Sequence, residues 1–263
     1  MCTTVTKLRS CRGAPRDAGF SLIELAIVMM IVGTLMSGLL VAVSQSMANG
    51  RITDARAQLR EIEEALYGYA QATGHLPCPA NNGSQGYEVP LGSGDCINTH
   101  GFLPVSTLGL VGAVNGDGLL LDPWQNPYRY SVAPQECSAC SGDRSFTSPS
   151  GLKEVFDEGT IAAADMIRVC DRSNCDAAGA VVHAETVPAI VYSMGANWAT
   201  YASSDEVKNA GDGTTLLGSY RIKSAADLDF VSTTYSEDNF DDQLVWLSPY
   251  ILFNRMVAAG KLP

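Results

Sequence analysis

The feature that most constrains this chain is a long apolar segment near its N-terminal end. It runs from Phe20 to Val43 with the sequence FSLIELAIVMMIVGTLMSGLLVAV, and Glu24 is its one charged residue. As a helix, about 24 residues reach roughly 36 Å, enough to cross a hydrocarbon core of about 30 Å. Four basic residues precede it: Lys7, Arg9, Arg12 and Arg16. Because positive flanks stay cytoplasmic, we expect a single-pass membrane span with everything after Val43 exported.

Glu24 does not suit a plain membrane anchor, because an unpaired carboxylate in lipid costs a few kcal/mol. One alternative is an ordinary signal anchor in which Glu24 reaches back to the interface. A second is a secretory signal peptide cut after Ala48, although the apolar run is longer than the usual core of such a peptide.

The residues Gly19-Phe20-Ser21-Leu22-Ile23-Glu24 resemble the prepilin peptidase site of type IV pilins and type II secretion pseudopilins. The shared pattern is a short basic leader, then Gly, Phe, three residues and Glu at the start of a long apolar helix. The resemblance implies cleavage after Gly19, N-methylation of the new terminus at Phe20, and retention of the whole apolar helix.

The same resemblance implies a structural subunit rather than an enzyme. Its partners would be other copies and related pilins in a helical filament, prepilin peptidase, and an inner-membrane assembly platform with its ATPase. The chain would wait in the inner membrane with a cytoplasmic N-terminus and a periplasmic head, and would then join a periplasmic or surface filament. In the filament, Glu24 would pair with the charged amino terminus of a neighbouring Phe20 in a low dielectric medium.

The segment after Gly50 keeps a helical rhythm in a charged sequence. Apolar residues recur three and four apart, at Ile52, Ala55, Leu59, Ile62, Leu66 and Tyr69. Gly74 and Pro77 then favour a helix stop. We therefore predict one helix from Phe20 to Thr73 with a membrane half and an amphipathic half.

The predicted fold class is α+β, a pilin-like arrangement in which the long helix packs on a small antiparallel sheet in a globular head. Short apolar runs predict strands at Tyr128–Val132, Val187–Ser193 and Leu244–Leu247. Ser248 and Pro249 suit the N-cap and first position of a final helix that stops at Gly260. The predicted organisation is a leader over residues 1–19, the long helix over 20–74 and one exported head over 75–263.

A second resemblance lies in Leu121-Asp122-Pro123-Trp124-Gln125-Asn126-Pro127-Tyr128-Arg129-Tyr130, which is similar to the DPWGNPY segment of major pseudopilins. Gln125 stands where the family has glycine. Two prolines and Asn126 favour a rigid turn that delivers Tyr128 and Tyr130 to one face of a strand, with Trp124 in the core. This favours a secretion pseudopilin, while a minor type IV pilin with an adhesive or sensory head stays open.

Major pseudopilins hold calcium in a loop after a strand that ends in Ser and Gly. Tyr192-Ser193-Met194-Gly195-Ala196-Asn197 resembles the start of that loop, and Glu237-Asp238-Asn239-Phe240-Asp241-Asp242 supplies carboxylates. Clustered carboxylates meet the oxygen demand of calcium. The resemblance suggests calcium ligands at Asp241, Asp242, Asp238, Ser193 and Asn197; a solvated acidic surface is the alternative, and no cofactor is expected to be essential.

Six cysteines lie beyond the leader: Cys78, Cys96, Cys137, Cys140, Cys170 and Cys175. They allow 15 pairings, among which sequence does not choose. We expect disulfides that close short local loops. Cys78–Cys96 and Cys170–Cys175 are favoured over Cys137–Cys140. Zinc binding is disfavoured by the spacing and by an oxidising compartment. A redox-active CxxC is disfavoured because no thioredoxin-like strand and helix flank Cys137 and Cys140.

Composition argues against other functions. The net charge of −11 and the lack of a basic run disfavour nucleic-acid binding. The three histidines, His75, His100 and His183, form no metal-binding pair, and no nucleophile elbow, phosphate loop or dinucleotide fingerprint is visible. A signal-anchored periplasmic enzyme is the remaining alternative, because catalytic groups need not form local motifs.

Overall fold

A computed structural model describes residues 21–92, 96–134, 146–149, 151–158, 166–201, 203–236 and 239–263, without the side chains of 37–44, 154 and 156–158. The chain divides into two compact units, Met1–Ala48 and Asn49–Pro263. The helices are α1 Leu22–Thr73, α2 Val105–Leu108, α3 Gly151–Glu158, α4 Ser204–Ala210 and α5 Pro249–Ala258. The strands are β1 His100–Phe102, β2 Arg129–Val132, β3 Ile167–Cys170, β4 Val182–Val187, β5 Ala189–Ser193, β6 Thr215–Leu217, β7 Tyr220–Ile222, β8 Asp229–Val231 and β9 Gln243–Trp246.

Helix α1 has the end that the sequence predicts. Gly74 follows Thr73 with a φ of 94°, a left-handed conformation that suits glycine, and its N–H donates to the Ala70 carbonyl. The apolar stripe of the second half is buried at Ala55, Leu59, Ile62, Leu66 and Ala70. This half is therefore part of the core of the head, as its periodicity predicts.

No helix is long and apolar enough to cross a membrane in the part of the chain that the structure describes. The expected span from Phe20 to Val43 includes Phe20 itself and the side chains of residues 37–43, which lie outside that part.

The main sheet is antiparallel and has the strand order β1-β2-β5-β9. The α+β prediction is confirmed, and all three predicted strands are present. The run expected as one strand from Val187 to Ser193 is interrupted at Pro188, which has no N–H to donate to a ladder. Val187 ends β4 and pairs with Ile167 in a second sheet, whereas β5 begins at Ala189 in the main sheet.

Two smaller sheets complete the described strands. One has the order β4-β3-β8, with β3 and β8 parallel, and the other is the hairpin β6-β7.

The core contains Tyr128 and Tyr130, both without exposed surface. Their hydroxyls donate to Gln58 Oε1 at 2.7 Å and to the Pro77 carbonyl at 3.1 Å. The aromatic rings thus pack inside the head while each phenol has a polar partner.

Helix α5 begins at Pro249 after Ser248, as predicted, but the Ser248 side chain makes no capping hydrogen bond. The backbone N–H of Ser248 instead donates to the Tyr67 hydroxyl oxygen at 2.9 Å. Arg255 of α5 donates to both carboxylate oxygens of Glu64 at 2.6 and 2.8 Å and lies over the Tyr67 ring. These contacts join α5 to the second half of α1.

Two of the expected disulfides are present, Cys78–Cys96 and Cys170–Cys175. The Cys137–Cys140 pair lies outside the described residues. Cys78 follows the end of α1 closely, and Cys170 is the last residue of β3. Each bridge therefore holds a loop beside a regular element.

Lys223 is a buried cation whose side chain has no exposed surface. Its ammonium donates to Asp227 Oδ2 at 3.0 Å and to the Asp229 carbonyl at 2.8 Å. Burial lowers the pKa of Lys223 to about 8, although the Asp227 carboxylate acts in the opposite direction. The folded protein therefore loses this proton at a lower pH than the unfolded chain.

We expect this lysine to make the unfolding free energy rise as pH increases from about 8 towards the unfolded pKa of about 10.4. Denaturant unfolding of the wild type and of Lys223→Met at a series of pH values measures the effect as a difference between the two proteins. A difference that stays constant across this range would contradict the lowered pKa. Lys261→Met, at an exposed position, is the control.

Candidate functional site

The N-terminal processing segment is described only in part. Glu24 lies in the first turn of α1 and is exposed in the single chain. Gly19 and Phe20, the expected cleavage and methylation positions, lie outside the described residues. An exposed carboxylate among apolar side chains has room to meet a group of another molecule, which is the role that the sequence suggests for it.

The DPWQNPY segment forms a tight turn around one carboxylate. Asp122 Oδ1 accepts the N–H groups of Trp124 and Asn126 at 2.9 and 2.8 Å. Gln125 has a φ of 69°, a left-handed conformation that favours glycine, the residue that the family has here. The expectation that Trp124 lies in the core is wrong, since this residue is only partly buried beside the turn.

This turn is bonded to the loop that follows β5. The Ser193 hydroxyl donates to Asp122 Oδ2 at 2.5 Å, and Asn126 Nδ2 donates to the Gly195 carbonyl at 2.7 Å. Both side chains are buried. The two segments that resemble pseudopilins are therefore neighbours in space, although about 70 residues separate them along the chain.

Asp241 closes the other side of the same loop. Its Oδ2 accepts the N–H groups of Ala196 and Asn197 at 2.6 and 3.2 Å. A Cβ at Gly195, where φ is 63°, would lie 2.3 Å from the Asp241 carboxylate. The carboxylate can approach the backbone this closely because residue 195 is glycine.

Two further acids lie beside Asp241. Glu206 of α4 accepts hydrogen bonds through Oε1 from Asn197 Nδ2 at 2.8 Å and from the Asp241 N–H at 3.2 Å. Asp242 Oδ2 accepts from Asn209 Nδ2 at 2.8 Å. We call the group formed by Asp122, Ser193, Asn197, Glu206, Asp241 and Asp242 the acidic loop cluster.

Burial makes the ionised forms of these acids unfavourable. It raises the pKa of Asp241 to about 6, and the nearby Glu206 carboxylate adds to the increase. The pKa of Asp242 is raised well above its usual value by burial, with further contributions from Asp241 and Glu206. Burial also raises the pKa of Asp122, against the hydrogen bonds that it accepts. Like charges in low dielectric are therefore close together at this loop.

The donor set fits a hard cation in one respect. Oδ1 of Asp241 and Oδ1 of Asp242 are buried and have no hydrogen-bond partner among the described residues. Oxygens of this kind are the ligands that calcium prefers. However, no three Asp, Glu, His or Cys residues of the described ranges are grouped closely enough to hold a metal ion. Of the other expected ligands, Asp238 lies outside those ranges, and Ser193 is bonded to Asp122.

Asp122 and Glu206 are members of the cluster that sequence reasoning did not assign to it. The sequence predicts a structural turn at Asp122, and the DPW context is the signal that could assign this residue to the site. Glu206 lies three residues after Ser203, whose hydroxyl accepts its N–H at 3.3 Å, so it is in the first turn of α4. The helix dipole is enough to explain an acid at this position, so the sequence gives no reason to assign Glu206 to a binding site.

One serine–histidine pair is buried in the main sheet. Ser131 Oγ and His100 Nδ1 are 2.8 Å apart across β1 and β2, and the two residues are 0% and 2% exposed. A substrate has no access to these atoms in this structure. The pair is a cross-strand contact inside the head.

Comparison with known families supports the motif found in the sequence. The family model for the prokaryotic N-terminal methylation motif matches residues 15–40, which include Gly19, Phe20 and Glu24. The N-terminal segment thus matches a prokaryotic methylation motif, which is consistent with a type IV pilin-like prepilin. No curated protein and no solved structure matches the chain.

Proposed function

We propose that this chain is a structural subunit of a type II secretion pseudopilus or a related type IV pilus-like filament. The match of residues 15–40 to the methylation motif carries the proposal, because that motif includes the cleavage position, the new terminus and Glu24. The long helix α1 and the α+β head agree with it. The role is mechanical, since the subunit contributes shape and contacts to a filament.

The proposed assembly starts with the chain in the inner membrane, held by the apolar segment from Phe20 to Val43, with its head in the periplasm. Prepilin peptidase cuts after Gly19 and the amino group of Phe20 is methylated. A membrane platform and its ATPase then extract the subunit into a growing helical bundle. Leaving lipid is tolerable because the apolar helix is buried again among similar helices, where Glu24 meets a positive amino terminus.

We favour a pseudopilin because the DPWQNPY turn and the loop after β5 are bonded to each other around Asp122. A minor type IV pilin with an adhesive or sensory head is the second candidate. It shares α1 and differs in what the head contacts. Immunogold labelling distinguishes the two, since a pseudopilin remains in the periplasm and a pilin is found on the cell surface.

We also propose that calcium binds at the acidic loop cluster, as a stabilising ion and not an essential cofactor. Its ligands would include the unpartnered oxygens of Asp241 and Asp242, with Asn197 beside them. The ion would offset the mutual repulsion of these carboxylates.

The processing step is tested by the intact mass and the N-terminal peptide of the protein purified from membranes of its own host. We expect a mature chain that begins with N-methylated Phe20. An uncut start at Met1 would contradict the proposal and indicate a signal-anchored protein. A start at Asn49 would also contradict it and indicate a secreted protein.

A further inference from the structure

The second half of α1 has an exposed face with oppositely charged edges. Arg56 and Arg60 are four residues apart and form one edge, which we call the basic edge; Asp54 and Glu61 form the other, the acidic edge. At 3.6 residues per turn, the two edges are roughly 130° apart around the helix axis. All four side chains are exposed.

These charges have no counter-ion in the part of the chain that the structure describes. Among the described residues, Asp54, Arg60 and Glu61 form no ion pair, and Arg56 bonds through Nε to a neutral group, Gln243 Oε1, at 2.8 Å. Glu64, one turn from Arg60, is held by Arg255 instead. The edges are therefore available to another molecule.

A groove lies beside each edge. The basic edge borders a groove of about 320 Å³ that Thr233 and Tyr235 also line. The acidic edge borders a groove of about 440 Å³ that includes Pro123 and Gln125 of the DPWQNPY turn. Asp54 is the residue of the acidic edge that lines this second groove, and Arg51 and Asp122 line it as well. Side chains of a neighbour would have room on both sides of α1.

We propose that the two edges are the complementary halves of one interface, through which α1 of one copy packs against α1 of the next. The inference rests on the proposed filament and names the residues of the contact. Two different patches meet in such a contact, so the association is head-to-tail and continues into a filament unless it closes as a ring. Charge complementarity argues for a second copy as the occupant, since one copy supplies both signs.

The spacing of the charges tolerates several positions of the neighbour. Arg60 and Asp54 differ by six residues, about 9 Å along the helix, and Arg56 and Glu61 by five, about 7.5 Å. A neighbour displaced by one to two turns in either direction therefore pairs at least one arginine with one carboxylate. The long arginine side chains cover the remaining difference.

Charge reversal in the full-length chain, expressed in its own host, tests the interface. Arg56→Glu with Arg60→Glu, and separately Asp54→Lys with Glu61→Lys, place like charges in contact. We expect each double variant to reduce sedimentable or chemically cross-linked multimers by about tenfold. The quadruple variant should recover most of the wild-type amount, because the reversed edges complement each other again. Added salt should weaken assembly of the wild type and of the quadruple variant.

Controls separate this inference from its alternatives. Lys261→Glu and Glu185→Lys make the same types of charge change at exposed positions outside α1 and should leave assembly unchanged. Arg60→Glu alone keeps the Arg56–Gln243 contact, so it tests the edge without disturbing the fold. Normal multimers in both double variants would overturn the inference, as would a quadruple variant that stays defective, which would indicate a different partner. If wild-type chains formed no multimers, or if their Phe20 were not methylated, the filament proposal itself would be overturned.

Discussion

Replacing Glu24 by alanine is expected to leave the head folded and to block filament assembly. In a packed bundle of apolar helices the amino group of Phe20 needs a counter-charge, and removing one partner of a buried pair costs about 3 to 5 kcal/mol. At about 1.4 kcal/mol per tenfold change in an equilibrium constant, filaments should decrease by well over tenfold. Electron microscopy and quantification of sheared or sedimented filaments measure the loss.

The matched control for this experiment is Thr34→Ala. It removes a polar group from the same helix, where the Thr34 hydroxyl donates to the Ile31 carbonyl at 2.9 Å, without changing charge. We expect this variant to assemble normally. The Cys78–Cys96 and Cys170–Cys175 bridges, detected by thiol labelling, report whether each head has folded. Normal filaments from Glu24→Ala would count heavily against a role of this carboxylate in filament assembly.

The second large effect is expected at Asp241, whose pKa is raised by burial to about 6 in the folded protein. The unfolded value is about 3.9, so the folded state takes up this proton first as the pH falls. Without added metal, the unfolding free energy should therefore increase between pH 7 and pH 4, by on the order of 2 kcal/mol from this residue. Asp241→Asn should remove that increase and be at least as stable as the wild type at pH 7.

Thermal unfolding in detergent, with a chelator, measures this pH dependence, and Asp117→Asn at a half-exposed turn is the control. Adding calcium at pH 7 then tests whether this ion binds. If calcium binds the acidic loop cluster, it should raise the melting temperature of the wild type and not that of Asp241→Asn. A wild type whose pH dependence between pH 7 and pH 4 in chelator equals that of Asp241→Asn would contradict the raised pKa. A wild type whose melting temperature calcium leaves unchanged would contradict calcium binding.

The parts of the fold that the sequence predicted are those with local signals. The second half of α1 has apolar residues at helical spacing and ends at Gly74, and α5 begins with Ser248 and Pro249. The strands β2, β5 and β9 are short runs of β-branched and aromatic residues. In each case neighbouring residues supply the signal. The helix has a fixed period because it is buried on one face, whereas β2 and β5 are short runs that are buried throughout.

The parts that were missed depend on distant residues. The pairing of β3 with β8 is parallel and joins segments about 60 residues apart, so no local pattern specifies it. The family resemblance suggests four members of the acidic loop cluster, Ser193, Asn197, Asp241 and Asp242. Glu206 joins it only because α4 packs beside that loop, and a lone acid in a helix has no sequence signal for such a position.

The contacts between α1 and α5 have a consequence for the order in which the head forms. Gln71 donates to the Arg255 carbonyl, Arg255 binds Glu64, and the Tyr67 hydroxyl meets the Ser248 N–H, across separations of 181 to 191 residues. Leu262 is buried in the same core. A chain that emerges from its N-terminal side, during synthesis or export, thus presents the apolar stripe of α1 long before its last partners arrive. In that interval the stripe is exposed to chaperones, proteases and other unfinished chains.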